Sequence, residues 1–339
     1  MADNLKFTRE GGEATGPAPR NRMAARAVAA VISALFALAA LSTAAGVEPK
    51  RIVLSFDDAP RGDGRVFAGA ARATALIEGL RAAEVEEVVF FVTTRGFEAQ
   101  PDGKARVERY AAAGHLIANH SHTHPWAHQT GVADYLADVD EAQARLEGIE
   151  NLRPWFRFPF LDEGRDPAKV AAIAEGLEAR GLANGYVTVD TYDWHMERRL
   201  QDALRDGRAV DYDKLGRLYV DMSLYAAEFY DGIAVQTLGY SPVHVLLLHE
   251  NDLAALYATD LVKAFRDAGW EIVGPDAAYG EALPTPETVR TSQGRVFALA
   301  ADAGRSRRTM WTWAIDEEML DLMLERRGAI EPPAAADGR

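Results

Sequence analysis

The 339-residue chain contains no cysteine. That excludes a disulfide framework, a thiolate metal site and a cysteine nucleophile, so any bound cation must be held by His, Asp and Glu. Positive charge is in deficit: 37 Lys and Arg face 51 Asp and Glu, for a net charge of −14. A chain of that sign lacks the cationic footprint that nucleic acid requires, so no nucleic-acid partner is expected. Repeated long apolar runs are also missing, which excludes a polytopic membrane protein. What is present is ordinary globular composition, 48% hydrophobic and 26% charged, which excludes a fibre or a mostly disordered chain. The length allows one large domain or two smaller ones.

Residues 1–46 differ from the rest. They carry five basic and three acidic residues, and their net charge of +2 leaves −16 to the remainder. Ala27 to Val47 has no charged residue and passes through Ser42, Thr43, Ala44, Ala45 and Gly46. A basic flank, an apolar middle and a small-residue end predict a secretory signal cleaved after Ala44 or Ala45. A start at Met23 would give such a peptide a normal length. The expected location is therefore periplasmic or extracellular. The alternative is an uncleaved membrane anchor, because about 20 apolar residues span a bilayer.

From residue 47 to about 275, short apolar runs alternate with helical patterns. Strands are expected at Arg51–Phe56, Glu87–Val92, His115–Asn119, Trp155–Phe158, Gly185–Asp190, Val243–Leu248 and Trp270–Val273. Helical periodicity covers Val66–Ala83, Lys104–Ala113, Gly131–Gly148, Pro167–Arg180, most of Glu197–Tyr230, and Asn251–Ala268. This alternation predicts an α/β protein with a parallel sheet, and seven strands suggest a barrel. Residues 276–339 form an extension, with an amphipathic helix at Asp316–Arg326 and a mobile tail from Glu331. A stabilising role is expected for it.

Polar residues gather just after the strands, where a parallel barrel brings them to one mouth. Asp57 and Asp58 follow the first strand. One could bind a metal while the other acts as a base, although capping aspartates are common in turns. The run Asn119-His120-Ser121-His122-Thr123-His124 holds three of the eight histidines. His120 and His124 are spaced i, i+4, so one helical turn would bring both rings together and turn His122 away. Two imidazoles and a carboxylate make an open site for zinc, iron or another divalent ion. Arg157 ends an apolar strand and needs a carboxylate partner, which it would keep ionised. Asp190 and Asp193 flank Tyr192 and precede Trp194. Either carboxylate could orient a histidine, and Trp194 could wall a pocket. His249 ends an apolar strand and suits a general acid or base. Trp126, Trp155, Tyr192 and Trp194 lie near these motifs and could stack on sugar rings.

In order and spacing, these five motifs resemble the polysaccharide deacetylase, or NodB-homology, family, of carbohydrate esterase type. The resemblance spans about Arg51 to Val273. It implies a distorted (β/α)7-type barrel and removal of acetyl groups from an acetylated glycan, N-acetyl groups of amino sugars first among them. It implies Asp57 as catalytic base, and Asp58, His120 and His124 as ligands of one divalent ion, usually Zn2+. Arg157 would pair with the base, His249 would be the acid, and Asp193 (or else Asp190) would tune that histidine. Trp194 and Leu247 would receive the acetyl methyl, and the Phe160 backbone N–H would contact the oxyanion. Two departures stand out: Ala59 occupies a usual glycine position, and Pro159-Phe160-Leu161 replaces Pro-Tyr-Gly. Two other readings remain open on the residues alone: a metal-dependent amide hydrolase for a small non-sugar substrate, and a non-catalytic metal- or glycan-binding protein.

Overall fold

The computed structural model describes residues 49–280, 283–287 and 293–332. The N-terminal segment 1–46 and the final residues of the tail lie outside them, so the expectations for a signal and a mobile end do too. Among the described residues no helix is long and apolar enough to cross a membrane.

The central strand is β1 (Lys50–Ala59), and its apolar run is explained by its neighbours. β6 (Val243–His249) pairs along one side from Arg51 to Asp57. On the other side β7 (Trp270–Ile272) takes the first half and β2 (Val89–Val92) the second. All these pairings are parallel, and Ile52 to Phe56 is buried throughout, as a strand covered on both faces requires. β3 (Leu116–Asn119), β4 (Leu152–Phe156) and β5 (Ala183–Asn184) continue the sheet in the order β5-β4-β3-β2-β1-β6.

The fifth strand is expected at 185–190, but β5 lies just before it at Ala183–Asn184, and within 185–190 only Val189 forms a bridge, to Leu246. Gly185 N–H donates to Phe156 of β4, whereas Thr188 N–H donates to Val245 and Leu247 N–H to Val189 on the β6 side. One irregular segment thus bonds to both β4 and β6 and closes the curled sheet into a distorted barrel.

Helices cover the outside: α1 (Gly69–Ala82), α2 (Gly103–Ala112), α3 (Val132–Leu146), α4 (Pro167–Glu178), α5 (Asp193–Arg205), α6 (Tyr212–Leu238) and α7 (Asp252–Asp267). The pattern expected at 197–230 divides into α5 and α6. Asp211 caps the start of α6 through Lys214 N–H, and Gly239 ends it in the left-handed conformation. Asn251 caps α7 through Ala254 N–H at 2.8 Å.

The extension is more structured than the sequence suggested. It forms one turn at Asp276–Tyr279, then α8 (Arg295–Asp302) and α9 (Glu317–Arg326), the last capped by Asp316. α8 packs on α6, and α9 packs on α5 and α6. The chain stays paired through the start of the expected tail, where Glu331 N–H donates to Ala209.

Candidate active site

The β1–β6 register places Asp57 opposite His249. A base candidate and an acid candidate therefore stand on adjacent strands at the same level. Asp58 is next along β1 and has φ 67°, a left-handed backbone that Asp tolerates better than most residues. Both carboxylates approach His120 Nε2, Asp57 through Oδ2 at 3.7 Å and Asp58 through Oδ1 at 3.6 Å.

Asp58 meets the two histidines. Its Oδ1 lies 3.2 Å from His124 Nε2 and 3.6 Å from His120 Nε2, and the three donor atoms fall within 4.8 Å of one another. The helical turn expected for His120 and His124 is not the device that unites them. Residues 120–125 form no helix. Ser121 and His124 instead take positive φ values of 70° and 61°. Local hydrogen bonds sustain that bend: Asn119 Oδ1 accepts from Ser121 N–H, Ser121 Oγ accepts from His124 N–H, and Asp138 Oδ1 accepts from the amides of His122 and Thr123. His122 turns away to Thr94, at 2.9 Å.

The three groups fit a divalent cation. His120 Nδ1 lies 2.8 Å from the Arg157 carbonyl. A carbonyl only accepts, so the proton sits on Nδ1 and the Nε2 lone pair faces Asp58. Burial holds both His120 and His124 down to about 4, so both imidazoles are neutral at pH 7 and could each offer a lone pair. Burial acts against the Asp58 carboxylate, but His124, His249, Arg61 and His120 together hold it well below the usual range. Two neutral imidazoles and one anion leave further coordination positions open. His120→Ala should therefore cost more zinc affinity than the roughly 10–100-fold typical of losing an outer partner. Equilibrium dialysis against zinc reads this, and undiminished stoichiometric binding would remove His120 from the donor set.

Arg157 pairs with Asp57 as expected, Nη1 to Oδ1 at 2.8 Å, with both side chains buried. The electrostatic balance differs from the expectation. Burial raises the Asp57 carboxyl above its ordinary range, and Arg157 offsets only part of that. A low-dielectric surround penalises the charged form more than one guanidinium rewards it.

Asp193, the first residue of α5, holds His249. Its Oδ1 is 2.6 Å from His249 Nδ1, while Oδ2 accepts from the His249 amide and from Asn251 Nδ2. Burial alone would lower the His249 imidazole, but the Asp193 charge and hydrogen bond outweigh it and bring it up to about 9. Asp190 lines the same cleft but is not the partner of His249. Burial pushes its carboxyl up to about 8, so it is largely neutral at pH 7.

The cleft has a volume of about 480 Å3, within the range of small-molecule sites. Phe160 and Trp126 wall one part with parallel rings 3.7 Å apart, and His124 meets the Phe160 edge at 4.4 Å. Tyr192, Trp194 and Leu247 also line it. Trp155 does not: it is buried against Tyr279, with ring centroids 4.5 Å apart. Its place on β4 turns it out of the mouth. Phe160 and Leu161 take positive φ, 58° and 52°, so the bend usually made by glycine survives here at a cost of about 1–2 kcal/mol per residue. Among the described residues no acceptor is paired with the Phe160 amide, which suits an oxyanion donor.

Three contributors were not singled out in the sequence. Arg61 reaches Asp58 Oδ2 at 3.2 Å. Glu250, beside His249, turns inward and accepts from Arg61 N–H, Arg72 and Tyr110, while Arg72 binds the carbonyls of Arg61 and Gly62. This buried set clamps the loop that carries Asp58. Gly64 is required in that loop, since a Cβ there would lie 2.0 Å from Asp252 Oδ2. Tyr279, from the extension, accepts from Arg157 Nη2 at 3.1 Å. Arg61 stands three residues after Asp58, a signal that could have been read. Tyr279 has none.

Residues 44–178 match the sequence model of the family described as polysaccharide deacetylase. No curated protein matches the chain. Solved structures similar to it include a polysaccharide deacetylase from Bacillus cereus, 21% identical with TM-score 0.47, over 69% of this chain and 95% of that one. A family 4 carbohydrate esterase from Streptomyces lividans, in complex with acetate, is 20% identical with TM-score 0.43, over 67% and 94%. A family 4 pseudoenzyme from Bacillus anthracis is 17% identical with TM-score 0.45, over 67% and 64%. The matched segment is thus similar to the polysaccharide deacetylase family, and it carries Asp57, Asp58, His120 and His124 into one cleft, with Arg157 paired to Asp57 behind them.

Proposed function

We propose that the protein hydrolyses acetyl groups from an acetylated glycan, N-acetyl groups of amino sugars in particular, outside the cytoplasm. The observation that carries this reading is the register of Asp57 with His249 across β1 and β6, beside the Asp58–His120–His124 donor set. A divalent cation on that set, zinc in this reading, would supply Lewis acidity to the acetyl carbonyl and lower the pKa of the attacking water.

Asp57 takes the water proton through Oδ2, because Arg157 occupies Oδ1. The Phe160 N–H receives negative charge developing on the carbonyl oxygen. His249, held through Nδ1 by Asp193, gives the Nε2 proton to the leaving nitrogen as the C–N bond breaks. Acetate and a free amine result. Leu247 and Trp194 offer apolar surface to the methyl, and the Trp126–Phe160 and Tyr192–Trp194 pairs offer faces to sugar rings. A purely binding protein would have no use for an oriented Asp57 and His249. Export rests on the basic, apolar and small-residue pattern of residues 1–46.

The test is acetate release from a panel of acetylated glycans, using chelated protein with and without zinc. Zinc-dependent release from one member is the expected result. No release from any member, with zinc bound, would sink the reading and favour a small amide substrate or a binding role.

A further inference from the structure

We infer that Tyr279 is a positioning residue for the base: its hydroxyl fixes the Arg157 guanidinium, and Arg157 in turn fixes Asp57. This deepens the proposed function and rests on it. It also gives the C-terminal extension a role in the site, although among the described residues none from the extension lines the cleft.

The Arg157 guanidinium is bonded on every edge. Nη1 donates to Asp57 Oδ1 at 2.8 Å, and Nε donates to the Gly185 carbonyl. Nη2 donates to Ser55 Oγ at 3.3 Å and to Tyr279 Oη at 3.1 Å. One face lies 4.0 Å from the Phe91 ring centroid. The barrel supplies all of these partners except Tyr279, which comes from the turn at Asp276–Tyr279.

Tyr279 is itself locked. Its hydroxyl donates to the Tyr186 carbonyl at 3.1 Å, so its lone pairs face Arg157. Its ring packs against Trp155 at 4.5 Å and meets Tyr186 edge-on at 5.4 Å. Tyr186 Oη donates to the Ala278 carbonyl and accepts from Leu283 N–H, which ties the turn to the barrel. Ring and hydroxyl thus have separable duties. The ring holds the turn against the barrel, and the hydroxyl sets the plane of the guanidinium. Without the hydroxyl, Nη2 keeps only the longer Ser55 contact. The guanidinium can then tilt about its Nε–Cζ end, and Asp57 Oδ1 follows it.

The test compares Tyr279→Phe, which removes only the hydroxyl, with Trp155→Phe, which loosens the ring contact and leaves the hydroxyl. Small misplacements of a reacting group are costly, so Tyr279→Phe should lower kcat about tenfold. KM should stay within about twofold, as for an interaction used in the transition state. Tm should be retained. Trp155→Phe should lower Tm and leave kcat unchanged. A second readout needs no substrate: nitrogen-15 spectra of the arginine guanidinium groups should show faster Nη exchange for Arg157 in Tyr279→Phe alone. Unchanged kcat in Tyr279→Phe, on a substrate the wild type cleaves, overturns the inference, as does an equal kcat loss in Trp155→Phe. If the wild type cleaves no acetylated substrate, the proposed function fails, and the guanidinium spectrum decides the brace: unaltered Arg157 exchange overturns it, and accelerated exchange upholds it.

Discussion

Asp57→Asn is expected to keep the fold and the cation while turnover falls by about 10²–10⁴-fold, the usual share of a general base. The substitution is close to isosteric. The amide oxygen can still accept from Arg157 Nη1, which now bonds Oδ1 at 2.8 Å. Removing a buried charge usually harms its partner. Here the carboxylate is itself disfavoured, since burial raises Asp57 despite Arg157. A neutral side chain therefore relieves one desolvation cost while it leaves Arg157 less well paired, and Tm should change little. What is lost is the basic oxygen facing the cleft. The donor set of Asp58, His120 and His124 is untouched, so zinc stoichiometry should be unaltered. Activity in Asp57→Asn within tenfold of wild type would mean that another group takes the proton.

Asp193→Asn is expected to cost about 10³–10⁴-fold in kcat, the loss known when a carboxylate that orients a catalytic imidazole becomes an amide. Three donors converge on Asp193: His249 Nδ1, the His249 amide and Asn251 Nδ2. An amide can satisfy the last two only by turning its NH2 toward Nδ1. That would place the proton on Nε2 of a neutral ring, in place of an imidazolium. The pH profile separates this from a packing effect. In the wild type His249 is held up to about 9, so the protonated acid persists through neutral pH and activity falls as pH rises through about 9. Without the Asp193 charge, burial dominates and the imidazole drops below its ordinary value of 6.5. The alkaline limb should then move below neutrality. An alkaline limb unmoved in Asp193→Asn would show that it belongs to another group. The same shift bears on stability. A folded value raised above the unfolded one contributes fully below about pH 6.5, and its contribution is lost as pH rises through about 9. Asp193→Asn should flatten the fall in Tm across that window.

Much of the site was legible because catalytic groups in a parallel barrel follow strand ends. Asp57, Asp58, Arg157 and His249 each sit within a residue or two of an apolar run, and such runs are the strongest signal a buried strand leaves. The histidine pair was legible as a pair, but its geometry was misread. The i, i+4 spacing is equally compatible with a helical turn and with the left-handed bends at Ser121 and His124. The Asn119 and Ser121 side chains favour the bend locally, but the Asp138 carboxylate that secures it arrives from α3. The fifth strand was legible as an apolar run and misjudged as continuous, since its pairing is split between β4 and β6. Trp155 was placed at the mouth by nearness in sequence, whereas its position on the pleat turns it toward Tyr279.

The sequence by itself determined the alternation of strands and helices, the parallel sheet, and the residue types gathered at one end of it. These follow from periodicity and from short-range order along the chain. The tertiary structure alone decided which carboxylate holds His249, how far burial opposes the Asp57 charge, and what stands behind Arg157. Asp190 and Asp193 are three residues apart and chemically identical. Only the start of α5 beside β6 gives His249 to Asp193. Tyr279 is 122 residues from Arg157, and no local pattern spans such a distance. Burial, the strength of an ion pair and the choice between like residues are properties of the assembled surround, because each depends on the dielectric and donors contributed by distant parts of the chain.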